Sequence, residues 1–205
     1  MTGLREQKKA QTRAVIVAEA GRLFAARGFQ ATTMGEIAAA AGVSAATLYN
    51  YFGTKNALLL AHVESTVGEM MDAGSAVLAD PPADIVAAVH SLTTVFLDHF
   101  VGLERELLRE VFAAGFAPSS ELLPELIRLD ELLIGQLAML LRQFGAPGGL
   151  APGIEVDEAV VAIYSLLVTQ LIMYLSVEER TADALRHSLK RQIEIVFSGL
   201  RVRER

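Results

Sequence analysis

Residues 30–55 read QATTMGEIAAAAGVSAATLYNYFGTK, and their spacing decides the fold. Thr33 and Glu36 form an S/T-x-x-E capping box, in which the threonine oxygen accepts from a free backbone N–H and the glutamate reaches back to the cap. Ile37, Ala38 and Ala41 then share one narrow apolar face, and the small alanines let a second helix come close. Gly42 supplies a residue tolerant of positive φ at the helix end. Val43 plugs the turn, and Ser44 is a good N-cap for the next helix. In that helix Leu48 points to a core, while Ala45, Ala46, Thr47 and Asn50 stay available. Two short helices around a tight turn are what a helix-turn-helix needs to place its second helix in the major groove. A glycine turn between helices also occurs in ordinary helical hairpins, so the flanks carry the distinction.

Upstream, Ile16, Val17, Ala20, Leu23 and Phe24 make a helical stripe that stops at Arg27-Gly28-Phe29. Downstream come Tyr49, Tyr51, Phe52 and Lys55, with Thr54 placed to cap a further helix. Taken in order and without gaps, Ile16–Phe24, Gly28-Phe29, Thr33, Ile37-Ala38, Ala41 to Ser44, Thr47 to Tyr49, Tyr51-Phe52, Lys55 and Leu58 resemble the DNA-binding domain of the TetR family of transcriptional regulators. The resemblance spans roughly residues 11 to 60; beyond that the chain is similar to the family only in length and helical character. It implies a homodimeric regulator, usually a repressor, whose carboxy-terminal domain binds a small inducer. It also implies that Thr33, Tyr49, Tyr51 and Lys55 hold phosphates. Ser44, Ala45, Thr47 and Asn50 complete the expected DNA-facing set, with Thr47 and Asn50 as candidates for reading base edges. Ala45 and Ala46 depart from the family pattern and leave less side chain to read bases with.

Charge follows the same division. The chain has net charge −6, but residues 1–60 carry seven Lys/Arg against three Asp/Glu. Residues 61–179 carry four against eighteen, and residues 180–205 seven against three. A basic end on an acidic body can dock at that end, because phosphate attraction is local at physiological salt. Lys8, Lys9 and Arg13 either steady the DNA backbone or belong to a solvated terminus.

Composition bounds the rest. The 205 residues, 52% of them hydrophobic, suffice for a real core in one domain or two small ones. No cysteine is present, so neither a disulfide framework nor a thiol nucleophile is expected. Residues 1–13 contain no apolar run of the secretory kind, which makes the cytoplasm the expected compartment. Ala159 to Val177 is uncharged and approaches the length of a membrane span. Its internal Ser165, Thr169, Gln170 and Ser176, and its acidic flanks, favour a core or interface helix.

The expected fold class is all-α: a three-helix DNA-binding domain over residues 1–54 and a helical effector-binding and dimerisation domain over 55–205. Helices are expected from Lys55 to about Leu78, Asp84 to Val101, Glu104 to Phe112, Pro124 to Phe144, Val156 to Ser176 and Thr181 to Leu200. Gly115 and Pro118 close the third of these, and residues 145–153 form a loop. Val160, Ile163, Leu167, Leu171 and Tyr174 form one stripe near the end of the chain; Leu185, Leu189, Ile193, Val196 and Leu200 form another. Such stripes build a dimer contact or close the subunit's own core, and periodicity does not separate the two. A dimer would bring two recognition helices to successive major grooves. Candidate effector-binding residues are Phe96, His99, Phe100, Gln136, Met139, Tyr164, Gln170 and Met173, with Phe112, Phe116, Phe144, Thr169 and Tyr174 as further possible lining of an apolar cavity.

Enzymatic readings find little support. None of His62, His90, His99 and His187 has Glu three residues before it, as a di-metal carboxylate bundle requires. No phosphate loop, nucleophile elbow or zinc-binding spacing occurs, so neither cofactor nor metal is expected. A helical protein-binding adaptor would explain the dimer stripes but give Thr33 to Lys55 no purpose.

Overall fold

An unbroken helix from Thr2 to Arg27 (α1) opens the chain. Its stripe Ile16, Val17, Ala20, Leu23 and Phe24 is buried, whereas residues 3–11 are all exposed. Gly28, at φ +81°, ends the helix, and its N–H donates to Phe24 O at 2.8 Å. The computed structural model describes residues 2–115, 117, 123–145 and 149–200, apart from the side chains of Thr2, Ala114, Glu125, Gly199 and Leu200. Phe116, Pro118, residues 146–148 of the expected loop and the Leu200 side chain therefore lie outside the described residues. Among the described residues the regular elements are all helices.

The following helices are α2 (Met34–Ala40), α3 (Ala45–Phe52), α4 (Lys55–Ala79), α5 (Ile85–Gly102), α6 (Arg105–Gly115), α7 (Leu123–Arg142), α8 (Val156–Ser176) and α9 (Ala182–Leu200). Caps explain several starts. Asp84 accepts from the N–H of Ala87 at 3.0 Å, Thr54 from that of Ala57 at 3.0 Å, and Thr181 from that of Ala184 at 3.2 Å. Pro124 sits in the first turn of α7, where a missing N–H costs nothing.

Packing divides the chain into two units. One comprises Met1–Gly68 with Glu104–Leu126, the other Glu69–Leu103 with Ile127–Arg205. The first unit thus extends past residue 54 into α4 and takes in α6. In it α2 packs on α1 and α3, and the core gathers the α1 stripe with Ile37, Leu48, Phe52, Leu58 and Leu59. Phe24 and Phe29 meet at 5.2 Å between ring centroids, in a tilted arrangement.

In the second unit α9 packs on α5 and α8. Ile85, Val89, Leu92 and Phe96 of α5 are buried, as are Leu185, Leu189, Ile193 and Phe197 of α9. Each such aliphatic or aromatic side chain contributes about 1.5–3 kcal/mol by leaving water. Leu185, Leu189 and Ile193 of the second carboxy-terminal stripe therefore serve the subunit's own core, as do Val160, Ile163, Leu167, Leu171 and Tyr174 of the first. Phe197, one residue after the expected Val196, completes the second stripe because its i+4 spacing from Ile193 continues the buried face. Helices α5 and α8 are long and apolar enough to cross a membrane. Yet α8 is sided: Val160, Ile163, Leu167, Gln170, Leu171 and Tyr174 are buried, while Val161 and Ile172 are exposed.

Candidate nucleic-acid interface

Helix α2 begins in a complete capping box. The N–H of Glu36 donates to Thr33 Oγ1 at 3.2 Å, and the N–H of Thr33 donates to Glu36 Oε2 at 2.9 Å. The Thr33 hydroxyl donates its proton to the same carboxylate at 2.8 Å, and Arg27 holds the other carboxylate oxygen at 2.9 Å. The backbone and side-chain bonds from Thr33, with Arg27 behind them, lower the Glu36 pKa below its ordinary value. Gly42, at φ +67°, makes the turn, and Val43 N–H closes it onto Ala38 O at 3.0 Å. Ser44 then caps α3 by accepting from the N–H of Thr47 at 3.1 Å, and its oxygen shares a second bond of 2.8 Å with the Thr47 hydroxyl.

Eight residues of α3 make a rod of about 12 Å. Leu48 and Phe52 anchor it to the core. The opposite face presents Ala45, Ala46, Tyr49 and Asn50 to solvent, with Tyr49 52% exposed. Thr47 and Tyr51 are half-buried. A short helix held at one end by a serine cap and underneath by two apolar anchors is suited to entering a groove without changing shape.

Two expected phosphate contacts are instead turned inward. The Lys55 ammonium donates to the carbonyls of Phe29 at 2.8 Å, Thr32 at 3.0 Å and Gln30 at 3.4 Å. It also stands 4.3 Å above the Phe29 ring. An ammonium has three protons, and three carbonyls face it. Lys55 therefore ties the α1–α2 turn to the start of α4, and its side chain is not free for an anion. Thr33 is similar, because its only hydroxyl proton goes to Glu36. The turn's carbonyls are a three-dimensional feature that spacing does not reveal. Thr32, also missed, is buried there and donates to Gly28 O at 2.8 Å.

The candidate effector residues are spread through the second unit. Phe96 is fully buried; His99, Phe100 and Tyr164 are half-buried. Buried Gln136 donates to Met71 O at 3.0 Å and to Ser75 Oγ at 3.2 Å, beside Gly74, where a Cβ would collide with its amide oxygen. Buried Gln170 donates to Gln192 Oε1 at 2.9 Å and accepts from Arg180. The Tyr164 hydroxyl bonds to the Asp130 carboxyl; burial raises the pKa of Asp130, and the same cause together with Asp130 raises that of Tyr164. Burial lowers the pKa of His99. Met139 and Met173 depart from expectation. They are 51% and 41% exposed, because the buried faces of α7 and α8 run through Leu137 and Ala138 and through Gln170, Leu171 and Tyr174. Among the described residues no cluster of His, Asp and Glu suits a metal ion.

The geometry finds its counterpart in known proteins. The profile of the bacterial regulatory proteins of the tetR family matches residues 16–62. The HTH-type transcriptional regulator BetI of Rhizobium meliloti (strain 1021) is 39% identical over 79 residues, which cover 38% of this chain and 39% of that protein. The uncharacterized HTH-type transcriptional regulator YerO of Bacillus subtilis (strain 168) is 47% identical over 51 residues, covering 25% of this chain and 18% of its own length. The chain thus spans well under half the length of these curated relatives. The crystal structure of Thermus thermophilus FadR, a TetR family transcriptional repressor in complex with lauroyl-CoA, is similar over 94% of this chain and 97% of its own, with TM-score 0.72 and 25% identity. The capped helix-turn-helix and the helical body agree with that likeness, and residues 16–62 are similar to the DNA-binding segment of the tetR family of bacterial regulatory proteins.

Proposed function

We propose that the protein is a ligand-responsive transcriptional regulator, a repressor that binds operator DNA as a homodimer and releases it when a small molecule enters the body. One observation carries the reading. Helix α3 is capped by Ser44, anchored by Leu48 and Phe52, and presents Ala45, Ala46, Tyr49 and Asn50 outward. Asn50 is the side chain with bidentate amide chemistry for adenine, Thr47 stands beside it, and the small alanines admit the helix deep into the groove. Tyr49 and Tyr51 supply hydroxyls to phosphates. The free N–H groups at the starts of α3 and α4 take over the anion contacts that the Lys55 and Thr33 side chains do not make.

The functional division follows residue 54, with effector binding and dimerisation in 55–205. Helices α8 and α9 supply the dimer contact through their outer faces, where Val161 and Ile195 are 60% and 63% exposed. Apolar side chains at such exposure on two adjacent helices suit a self-complementary two-fold interface. The body takes an effector with a substantial apolar part, consistent with its long apolar helices and with the lauroyl-CoA bound by the Thermus relative. Release requires that the ligand bind the non-DNA-binding arrangement more tightly than the other. Function is by binding, in the cytoplasm, without a cofactor.

The test is a gel shift on the DNA upstream of the chain's own gene, with acyl-CoA thioesters added. Retarded DNA that is freed by one of the thioesters supports the reading. Absence of any retarded complex at low salt rejects it.

A further inference from the structure

Seven Lys/Arg side chains lie within residues 1–60. Arg22 is paired with Glu19, Arg27 with Glu36, and the Lys55 ammonium with three carbonyls. The remaining four, Arg5, Lys8, Lys9 and Arg13, all lie on the amino-terminal half of α1, and none makes an ion pair among the described residues. Arg5, Lys8, Lys9 and Thr12 recur at i, i+3, i+4 and i+7, which places them on one face of the helix. That face forms a wall of an open groove of about 860 Å³ whose other wall is Asn50 and Tyr51 of the recognition helix; Glu6 also borders it. Arg13 stands at the inner end, its guanidinium 5.2 Å from the centroid of the Phe52 ring.

We infer that this groove is a second DNA contact, a rest for the sugar-phosphate backbone of the duplex whose major groove receives α3. The inference rests on the DNA-binding reading above and adds the contacts of Arg5, Lys8 and Lys9, which precede residues 16–62, the span that matches the family. Arg5 to Thr12 covers about 10 Å of helix. With phosphates of one strand rising about 3.4 Å each along the duplex axis, that length faces about three of them. Three groove cations, Arg5, Lys8 and Lys9, are present for them. Position favours this occupant, since one wall of the groove is the recognition helix itself. The arm buries none of residues 3–11 and needs a partner to hold it, and a polyanion supplies what its charge lacks. The salt-sensitive part of DNA binding accordingly belongs to the arm of α1, not to Lys55.

The experiment compares the parent with the triple variant Arg5→Gln, Lys8→Gln, Lys9→Gln and with the charge control Arg22→Gln. Fluorescence anisotropy on a labelled duplex from the chain's own upstream DNA, between about 50 and 200 mM KCl, measures the slope of log K against log salt. The triple variant should lose about two to three units of slope, so that the parent loses roughly 40-fold more affinity than the variant across that range. Arg22→Gln should leave the slope close to the parent's. A parent that binds with a slope the triple variant shares overturns the inference alone. A parent that binds no duplex overturns both it and the DNA-binding reading. Binding of the parent to anionic phosphatidylserine vesicles in a manner that the triple substitution abolishes, with no change on DNA, assigns the groove to a membrane and also overturns it.

Discussion

The two packed units are held together by different means. In the amino-terminal unit the polar contacts are mostly local, with partners three or four residues apart in the boxes at Thr33 and Ser44, and the Lys55 clamp bridging fewer than thirty residues. The first unit also has a distant tie from Gln30 to Glu110, but in the second unit such ties are more numerous: Gln136 reaches Met71 and Ser75, Gln143 reaches Leu78, and Arg186 reaches Asp98. Local caps define a rigid element that presents the same face whenever it folds. Distant ties between helices can have more than one arrangement, which is what a ligand needs if it is to shift an equilibrium. The contrast suits a division between a fixed reader and an adjustable body.

The largest expected effects come from the cores. Phe96→Ala should destabilise the body by about 3–5 kcal/mol, and Leu48→Ala the reading unit by about 2–5 kcal/mol, both measurable by denaturant unfolding. The contrast sharpens if Leu48→Ala removes DNA binding while the proposed dimer persists in sedimentation. It breaks if both substitutions dissociate the dimer equally.

Caps come next. Ser44→Ala should cost about 1 kcal/mol of stability by removing the acceptor for Thr47 N–H. If α3 is a fixed element, thermal unfolding should shift by only a few degrees while operator affinity falls further than that loss explains. Equal losses in stability and affinity would mean that the cap serves folding alone.

Protonation gives the smallest effect. Burial lowers the pKa of His62 in the first unit and of His90 and His99 in the second; Lys190 adds to the lowering at His90, while Glu194 opposes it there and Glu69 opposes it at His99. The neutral imidazoles are therefore favoured in the fold. Their stabilisation is complete above the ordinary histidine value of about 6.5 and is lost as pH falls through the lowered folded values. Asp130, raised mainly by burial, acts in the opposite direction at lower pH. Melting temperature should thus decline below pH 6.5, and His62→Gln should remove the first unit's share without altering that of the second. A melting temperature that rises on acidification through this window contradicts the assignment.

Legibility in the sequence divides along the same line. Thr33, Glu36, Gly42 and Ser44 act on backbone groups within three or four residues, so their roles can be read from spacing. Val156–Ser176 was equally readable, since a long apolar run can hardly be other than a helix. The inward turn of Lys55 was not, because its carbonyl partners come from a loop more than twenty residues earlier. Nor did periodicity show that Met139 and Met173 face outward, or that Gly74 is small to admit Gln136. Thr2 as the start of α1 was hidden by the lack of an apolar stripe before Ile16.

The claim on which the account turns is that α3 reads duplex DNA. Competition anisotropy tests it most directly, with labelled upstream DNA bound by the parent and displaced either by the same fragment or by its scrambled sequence. The account predicts that the scrambled duplex competes at least about a thousandfold more weakly, and that Asn50→Ala narrows the gap by about 1–3 kcal/mol at one base-pair position. Equal competition by the two duplexes at every salt concentration would contradict it.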